Sequence, residues 1–495
     1  MPIAFQESVS ADHIHTWWRN IRVALVPGPL TPVLEEVITH LRSHFRVHGH
    51  DVQPAPDDGT DVLVTTAPFG EPLNWRESVM LPARKRFGLK RTPTTHTLIH
   101  VRPAQFQAKL ERIAARQAKE PVDPADFAFP GLADQAYRTL VEQGRRGGPI
   151  MAVIRLLQAQ SKCIRIVLVV GDEHPEAAYY FDLVGAYPRV EAADPDLFYA
   201  DMVRRIVTSV STSEVTKHQA APERLSRAEW DALAAPRAMR AAGRELGRRG
   251  FFTEMIKIAD LVSVPSVGDS IASQYSEGCF ATWEPQADGL VATITGSARP
   301  VEKENITDDE LALIVGVRAD GLGAVVRHVD GKRNDSPSSE AVEMIQMDAG
   351  LPRLQLGPEW GPAAGRWVPV ARSKLHGHRG IAAFDPARVE FVPLDAPFYR
   401  YLVSCATDAQ ARAIHAAFAR SAALQQPDDP RQVVFTVLPG HGVVMAEKWV
   451  AGKAPFQVLW EHMDAGALQV ATAVPQGPHT YAPAADGRLE LREAP

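Results

Sequence analysis

Residues 21–45 read IRVALVPGPLTPVLEEVITHLRSHF and carry both periodicities of an α/β unit. The run 21–26 is short, apolar and closed by Pro-Gly-Pro, as a buried strand is. Beyond it Val33, Val37, Ile38, Leu41 and Phe45 recur at helical spacing. A second apolar run, 61–66 (DVLVTT), ends at Ala67-Pro68. A third, 97–101 (TLIHV), precedes Pro103, which suits the first turn of a helix over QFQAKLERIAARQAK. Strands alternating with helices predict a largely parallel sheet with ligand positions beyond the strand C-termini.

Working outward, 120–133 is rich in Pro and acids and reads as a linker or crossover. A helical segment follows it, then the break RRGGP at 145–149. A helix from about 149 leads to the most apolar strand of this half, 163–170 (CIRIVLVV). Helical spacing covers 198–211 and 223–250, the second exposed and basic. These elements predict a second α/β unit at about 134–222. After 251 short strand-like pieces dominate, among them CFATW, LVATIT, ALIVGVR, AVVRHV, VEFVPL, VVFTVLPG and GVVMAEKW, with one helix at 408–421. That texture predicts an antiparallel sheet or barrel. The polar, Pro-rich stretch 474–495 reads as a surface tail. The expected division is 1–133, 134–250, 251–365 and a strand-rich 366–495, giving α/β units followed by a strand-rich C-terminal domain.

The chain has 495 residues, 45% apolar and 23% charged, enough to bury cores without covalent staples. Its 53 basic and 59 acidic residues give a net charge of −6. That balance provides no global basic field for nucleic acid or for an anionic membrane. Three cysteines, Cys163, Cys279 and Cys405, stand far apart and match neither a disulfide framework nor a cysteine-based zinc site. No apolar run approaches the roughly 20 residues that span a bilayer, and the first residues lack the apolar core of a secretory signal. A cytoplasmic protein is expected.

Three stretches carry candidate chemistry. In 275–301 (YSEGCFATWEPQADGLVATITGSARPV), Glu277 and Glu284 bracket CFATW. Acids beside Tyr275, Cys279 and Trp283 are either solvated strand ends or held by a partner or cation. In 370–380 (VARSKLHGHRG), extended backbone places Arg372, Lys374, His376 and His378 on one face. Such a row meets an anionic substrate, or two of its imidazoles reach one divalent cation, or it is a charged edge strand that discourages aggregation. In 438–449 (LPGHGVVMAEKW), a Gly-flanked turn presents His441 at the end of a strand; His462 is a further candidate. Asn334–Glu340 (NDSPSSE) reads as a surface loop. The chain has no G-x-G-x-x-G after its first strand, no P-loop and no G-x-S-x-G. Cys279 as a nucleophile, paired with His376 or His441, is weighed against an inert buried thiol.

From Ser276 the pattern resembles the L-fucose/L-arabinose isomerase superfamily. There an acid-Gly pair is followed by a few small or apolar residues, a Glu, and an apolar segment closing in Thr-Gly-x-x-Pro-Val. Here these are Glu277-Gly278, Cys279 to Trp283, Glu284 and LVATITGSARPV, with one extra residue before Pro-Val. The stretch RSKLHGHRGIAAF and the segment around His441 are similar to histidine-bearing strands of that family. The resemblance implies two Rossmann-like α/β sandwich units before a strand-rich C-terminal domain. It implies aldose–ketose isomerisation of a sugar, sugar phosphate or sugar acid through an enediol, with a divalent metal, Mn²⁺ by analogy. Glu284 and Glu277 would be catalytic, with Glu284, Glu310 and His441 as metal ligands and His376 and His378 orienting sugar hydroxyls. A homo-oligomer, trimer or hexamer, is implied too. Strand alternation alone adds Arg372 and Lys374 as groups for an anionic substrate. The competing expectations are a non-catalytic sugar-binding relative, a metal-dependent hydrolase or lyase built on His376 and His378, and a thiol enzyme.

Overall fold

A computed structural model describes residues 20–68, 88–89, 93–105, 108, 164–181, 190–210, 218–249, 278–293, 303–319, 321, 323–332, 335–338, 340–377, 379–395, 408–439, 441–471, 474–475 and 479–493. These fall into two compact units, one within 20–210 and one within 218–493.

The first unit is a seven-stranded sheet in the order β2-β1-β3-β4-β5-β6-β7. Its strands are β1 (Arg22–Leu25), β2 (Asp51–Gln53), β3 (Val62–Ala67), β4 (Thr94–Val101), β5 (Ile164–Val170), β6 (Ala177–Phe181) and β7 (Val190–Glu191). β2, β1, β3, β4 and β5 run parallel, whereas β6 and β7 add antiparallel pairs. The helix Pro32–Val47 begins where expected: Thr31 Oγ1 accepts from Leu34 N, and Pro32 takes the first turn, where no amide hydrogen is required. Its buried face is Val33, Leu34, Val37, Ile38, Leu41 and Phe45, which includes all five residues of the helical pattern. One expectation is corrected. β5 joins β4 in parallel register from Thr95↔Ile164 to Val101↔Val170, so the described residues 164–210 of the expected second α/β unit belong with the first sheet, and 218–249 belong to the other unit. A run as apolar as 164–170 is what an interior parallel strand requires, and the sheet supplies neighbours on both sides.

The second unit is built on a nine-stranded sheet, β17-β18-β19-β15-β9-β10-β11-β12-β8. These are β8 (Gln219–Ala220), β9 (Cys279–Glu284), β10 (Gly289–Thr293), β11 (Leu311–Val317), β12 (Ala324–Arg327), β15 (Ala371–Gly377), β17 (Val389–Phe391), β18 (Val433–Leu438) and β19 (Gly442–Lys448). A two-stranded sheet pairs β13 (Arg353–Gln355) with β14 (Trp367–Pro369). A four-stranded sheet orders β20-β16-β22-β21, from β16 (Gly380–Phe384), β20 (Leu468–Ala471), β21 (His479–Pro483) and β22 (Leu489–Glu493). The expected tail is therefore largely strand: β21 and β22 zip together from His479↔Glu493 to Pro483↔Leu489. The boundary expected at 365 is also corrected, because β9 and β15, on either side of it, are hydrogen-bonded neighbours.

The large sheet is covered on both faces. On one, Phe280, Val291, Leu313, Leu375, Val443 and Met445 pack with Met239 and Leu246 of the helix Ala234–Arg248. On the other, Cys279, Ala281, Ala292 and Ile314 pack with Val342, Met344 and Ile345 around the helix Ala341–Gln346. Side chains alternate along each strand, so residue parity in β9 and β15 decides which of these two interiors a functional group enters. The second interior carries the site.

Candidate metal centre

β15 is an interior strand between β9 and β19, not a solvated edge. Its even-numbered residues Arg372, Lys374 and His376 do share a face, as the alternation predicts, and that face meets acidic residues of 340–348. His376 opposes Cys279 across the β9 pairing and is 1% exposed. His441 follows β18 in a turn closed by its own amide donating to Leu438 O at 3.0 Å. It is 2% exposed. Glu340, 6% exposed, stands immediately before the helix Ala341–Gln346. The ligand atoms of these three residues all lie within 4.8 Å of one another, and among the described residues they form the one such group able to hold a metal ion.

The geometry has a common focus. Glu340 Oε1 is 3.5 Å from His376 Nε2 and 3.9 Å from His441 Nε2. The imidazoles meet edge to face, centroids 4.7 Å apart at 72°. Each ring is anchored from behind. His376 Nδ1 lies 3.1 Å from Val443 O, and His441 Nδ1 lies 3.1 Å from Gln410 Oε1. A carbonyl oxygen only accepts, so both Nδ1 atoms carry hydrogen and each ring turns its Nε2 toward Glu340, the atom a neutral ring would offer to a cation. Ligands about 2.0–2.2 Å from a tetrahedral ion stand roughly 3.3–3.5 Å apart, close to the observed carboxylate–imidazole separations. Outer-shell acceptors of this kind are what orient ligating histidines at metal sites.

A second carboxyl borders the group. Glu343 is 3% exposed and accepts from Gln410 Nε2 at 2.8 Å. Burial and then the charge of Glu340 hold its carboxyl well above the ordinary range, against the lowering effect of the Gln410 bond. Cys279, buried on the same face, lies 3.6 Å from Met344 Sδ. Burial, followed by the field of Glu340, pushes its thiol up. That is the reverse of what a nucleophile requires.

The remaining expected site residues lie elsewhere. Glu284 is buried, yet it is five residues from Cys279 on one strand and so enters the opposite interior. There Oε2 accepts from Ala234 N and Ala235 N at 2.9 and 2.8 Å, and Oε1 accepts from Gln286 N at 3.1 Å. It is a helix-capping carboxylate, not a ligand beside His441. Glu310 closes a capping box with Thr307 over the turn Asp308–Glu310, accepting from Thr307 N at 2.7 Å and Thr307 Oγ1 at 2.5 Å. Lys374, fully buried, pairs with Asp348 Oδ2 at 2.5 Å. The Arg372 guanidinium lies against the rings of Trp360 and Trp449, 5.1 and 4.8 Å from their centroids, and donates to Lys453 O at 2.6 Å. Both cations are committed within the fold rather than presented to a substrate anion. His462 donates within its own helix to Val458 O. Glu277 and His378 lie outside the described residues.

Sequence reasoning therefore singled out His376 and His441 but assigned Glu340 to a surface loop. The available signal was S-S-E-A-V-E-M-I-Q-M, where two acids spaced by three stand among Ala341, Val342, Met344 and Ile345. Comparison with family models, curated proteins and solved structures finds no match to this chain. No helix among the described residues is long and apolar enough to cross a membrane.

Proposed function

We propose that this protein is a metal-dependent enzyme whose divalent cation is held by Glu340, His376 and His441, and that it interconverts the aldose and ketose forms of a sugar through an enediol. The observation that supports the metal is the convergence of two Nε2 atoms, each with its Nδ1 hydrogen already spent on an oxygen acceptor, upon one buried carboxylate oxygen. The resemblance of 276–301 to fucose and arabinose isomerases supports the reaction, the wider Rossmann-like arrangement and a homo-oligomeric assembly. The bound ion would polarise neighbouring sugar oxygens and stabilise the charge of the enediolate. Burial and then the charge of Glu340 raise the proton affinity of the Glu343 carboxyl, three residues from the ligand carboxylate, which suits it to hold or pass a proton. With Arg372 and Lys374 committed internally, a neutral sugar fits this reading better than a phosphorylated or acidic one. Two imidazoles and one carboxylate suit Zn²⁺ or Fe²⁺ at least as well as the Mn²⁺ implied by the resemblance.

One observation favours a second reading, a metal-dependent hydrolase or lyase: two histidines and a glutamate are also the donor set that activates water on zinc. The test is metal content of the wild type and Glu340→Gln after reconstitution with Zn²⁺, Fe²⁺ or Mn²⁺, followed by incubation with aldoses and ketoses in D₂O. Isomerisation requires metal in the wild type, its loss in the variant, and deuterium incorporated at C1 or C2. Stoichiometric metal without exchange moves the assignment to the hydrolase reading. Absence of metal from the reconstituted wild type removes both and leaves a sugar-binding relative of the fold.

A further inference from the structure

We infer that Gln410 is a positioning residue of the cation site: its side-chain amide, oriented by Glu343, holds His441 in the tautomer whose Nε2 faces Glu340. The inference rests on reading Glu340, His376 and His441 as a metal centre. Gln410 stands in the first turn of the helix Asp408–Ala419, and Glu343 in the helix Ala341–Gln346. An amide has a donor end and an acceptor end. Gln410 Nε2 donates to Glu343 Oε1 at 2.8 Å, which leaves Oε1 as the end that meets His441 Nδ1 at 3.1 Å. Gln410, Glu343 and His441 are 0%, 3% and 2% exposed, so bulk water does not compete for these bonds.

The consequence is a choice of tautomer made two residues away from the ligand atom. Were the amide reversed, its N–H groups would face Nδ1 and demand a lone pair there. The ring hydrogen would then move to Nε2 and point at Glu340, where it blocks ligation. Glu343 prevents the reversal, because a carboxyl oxygen opposite the NH₂ end accepts, whereas opposite the carbonyl end it would set oxygen against oxygen. That preference is the one set by a carboxylate, or by a neutral acid whose hydrogen sits on Oε2, because the Oε1 that faces Gln410 then only accepts. His376 needs no such device, because its Nδ1 acceptor is the backbone carbonyl of Val443, which cannot flip. One ligand is thus fixed by the sheet and the other by a two-residue relay between helices.

The experiment titrates the full chain with Co²⁺ and follows its visible absorption, in the wild type and in Glu340→Gln, Gln410→Leu, Glu343→Leu and Glu343→Gln. The wild type should bind one Co²⁺ and Glu340→Gln should lose it. Gln410→Leu and Glu343→Leu should each bind about 10–100-fold more weakly with an altered spectrum, as outer-shell changes do. Their double variant should be no weaker than either single change, because both break one relay. Glu343→Gln keeps an oxygen for Gln410 Nε2 and should retain near-native affinity, a rescue that a purely structural role for Glu343 does not require. Gln410→Asn, which keeps the amide but withdraws it from Nδ1, carries the same expectation as the leucine variant if that protein fails to fold. Native affinity and spectrum in Gln410→Leu or Gln410→Asn, with binding still lost in Glu340→Gln, would overturn the relay and leave the metal centre standing. No Co²⁺ bound by the wild type would overturn the metal centre itself, and the relay with it.

Discussion

Glu284 Oε2 lies 2.8 Å from the backbone nitrogen of Ala235, at the start of the helix Ala234–Arg248. The carboxylate that sequence reasoning placed on a metal is satisfying amide hydrogens at a helix end, where no capping side chain precedes the helix in sequence. Glu284→Gln should therefore cost about 0.5–2 kcal/mol of stability, the range for losing a cap and its charge at a helix N-terminus. Metal content should not change. Urea unfolding together with elemental analysis measures both. Loss of metal from a folded Glu284→Gln protein would return Glu284 to the site.

Lys374 and Asp348 form a buried pair that carries a different expectation. Burial drives the Asp348 carboxyl up and the Lys374 amine down, and each partner's opposite charge resists the change. Removing one member strands the other: Lys374→Met should destabilise the protein by about 3–5 kcal/mol. Lys374→Met with Asp348→Leu should recover most of that loss, since no unpaired charge remains. Equilibrium unfolding of the two variants reads the difference, and a double variant as unstable as the single one would refute it.

The parts of the fold that were legible in the sequence are those with local causes. The helix at 32–47 announced itself through Thr31-Pro32 and its apolar spacing, and strand alternation placed Arg372, Lys374 and His376 on one face. What escaped has non-local causes. Whether 164–170 opens a new sheet or joins β4 depends on pairing across more than sixty intervening residues, which no local pattern encodes. Glu284 and Cys279 sit close in sequence, yet the period-two alternation of β9 sends them into opposite interiors. The same alternation was available for 279–284 but gave no partner, because the helix Ala234–Arg248 arrives from earlier in the chain. Glu340 was missed because Ser, Asp and Pro around it signal a turn. The turn is there; it also drives the acid inward beside two histidines contributed from 36 and 101 residues further on.

Glu447 gives the stability a pH dependence. Burial pushes its carboxyl up to about 7, against hydrogen bonds from Leu459 N, Phe456 N and Ser373 Oγ and the charge of Arg372. The folded protein then binds a proton more tightly than the unfolded chain. This contribution is fully present below pH 4.5, is lost as pH rises toward 7, and amounts to about 3 kcal/mol across that window. Glu447→Gln removes the titration, so the difference in unfolding free energy between wild type and variant should shift in the variant's favour from pH 5 to pH 8. A difference independent of pH would show that Glu447 does not titrate in this range.

Cys279, 1% exposed and with its thiol pushed up by burial, should resist alkylation in the native protein. Iodoacetamide at pH 8 followed by peptide mass spectrometry should find residue 279 unmodified in buffer and modified in 8 M urea. Rapid native labelling would contradict both its burial and the inert reading of the thiol.

Metal removal should register as lost stability, independently of any activity. A cation held by Glu340, His376 and His441 binds the folded chain and not the unfolded one, so it stabilises by RT ln(1 + [L]/Kd), about 2.7 kcal/mol at a hundredfold excess over Kd. The melting temperature of the wild type should therefore rise with added Zn²⁺ or Co²⁺ and fall with chelator. Glu340→Gln should show no such response. Without metal the same variant should be no less stable than wild type, because it removes a negative charge buried close to Glu343. The two effects have opposite signs, and a single thermal series with and without chelator separates them. A melting temperature indifferent to both cation and chelator would leave the three residues as a buried polar cluster with no ion to hold.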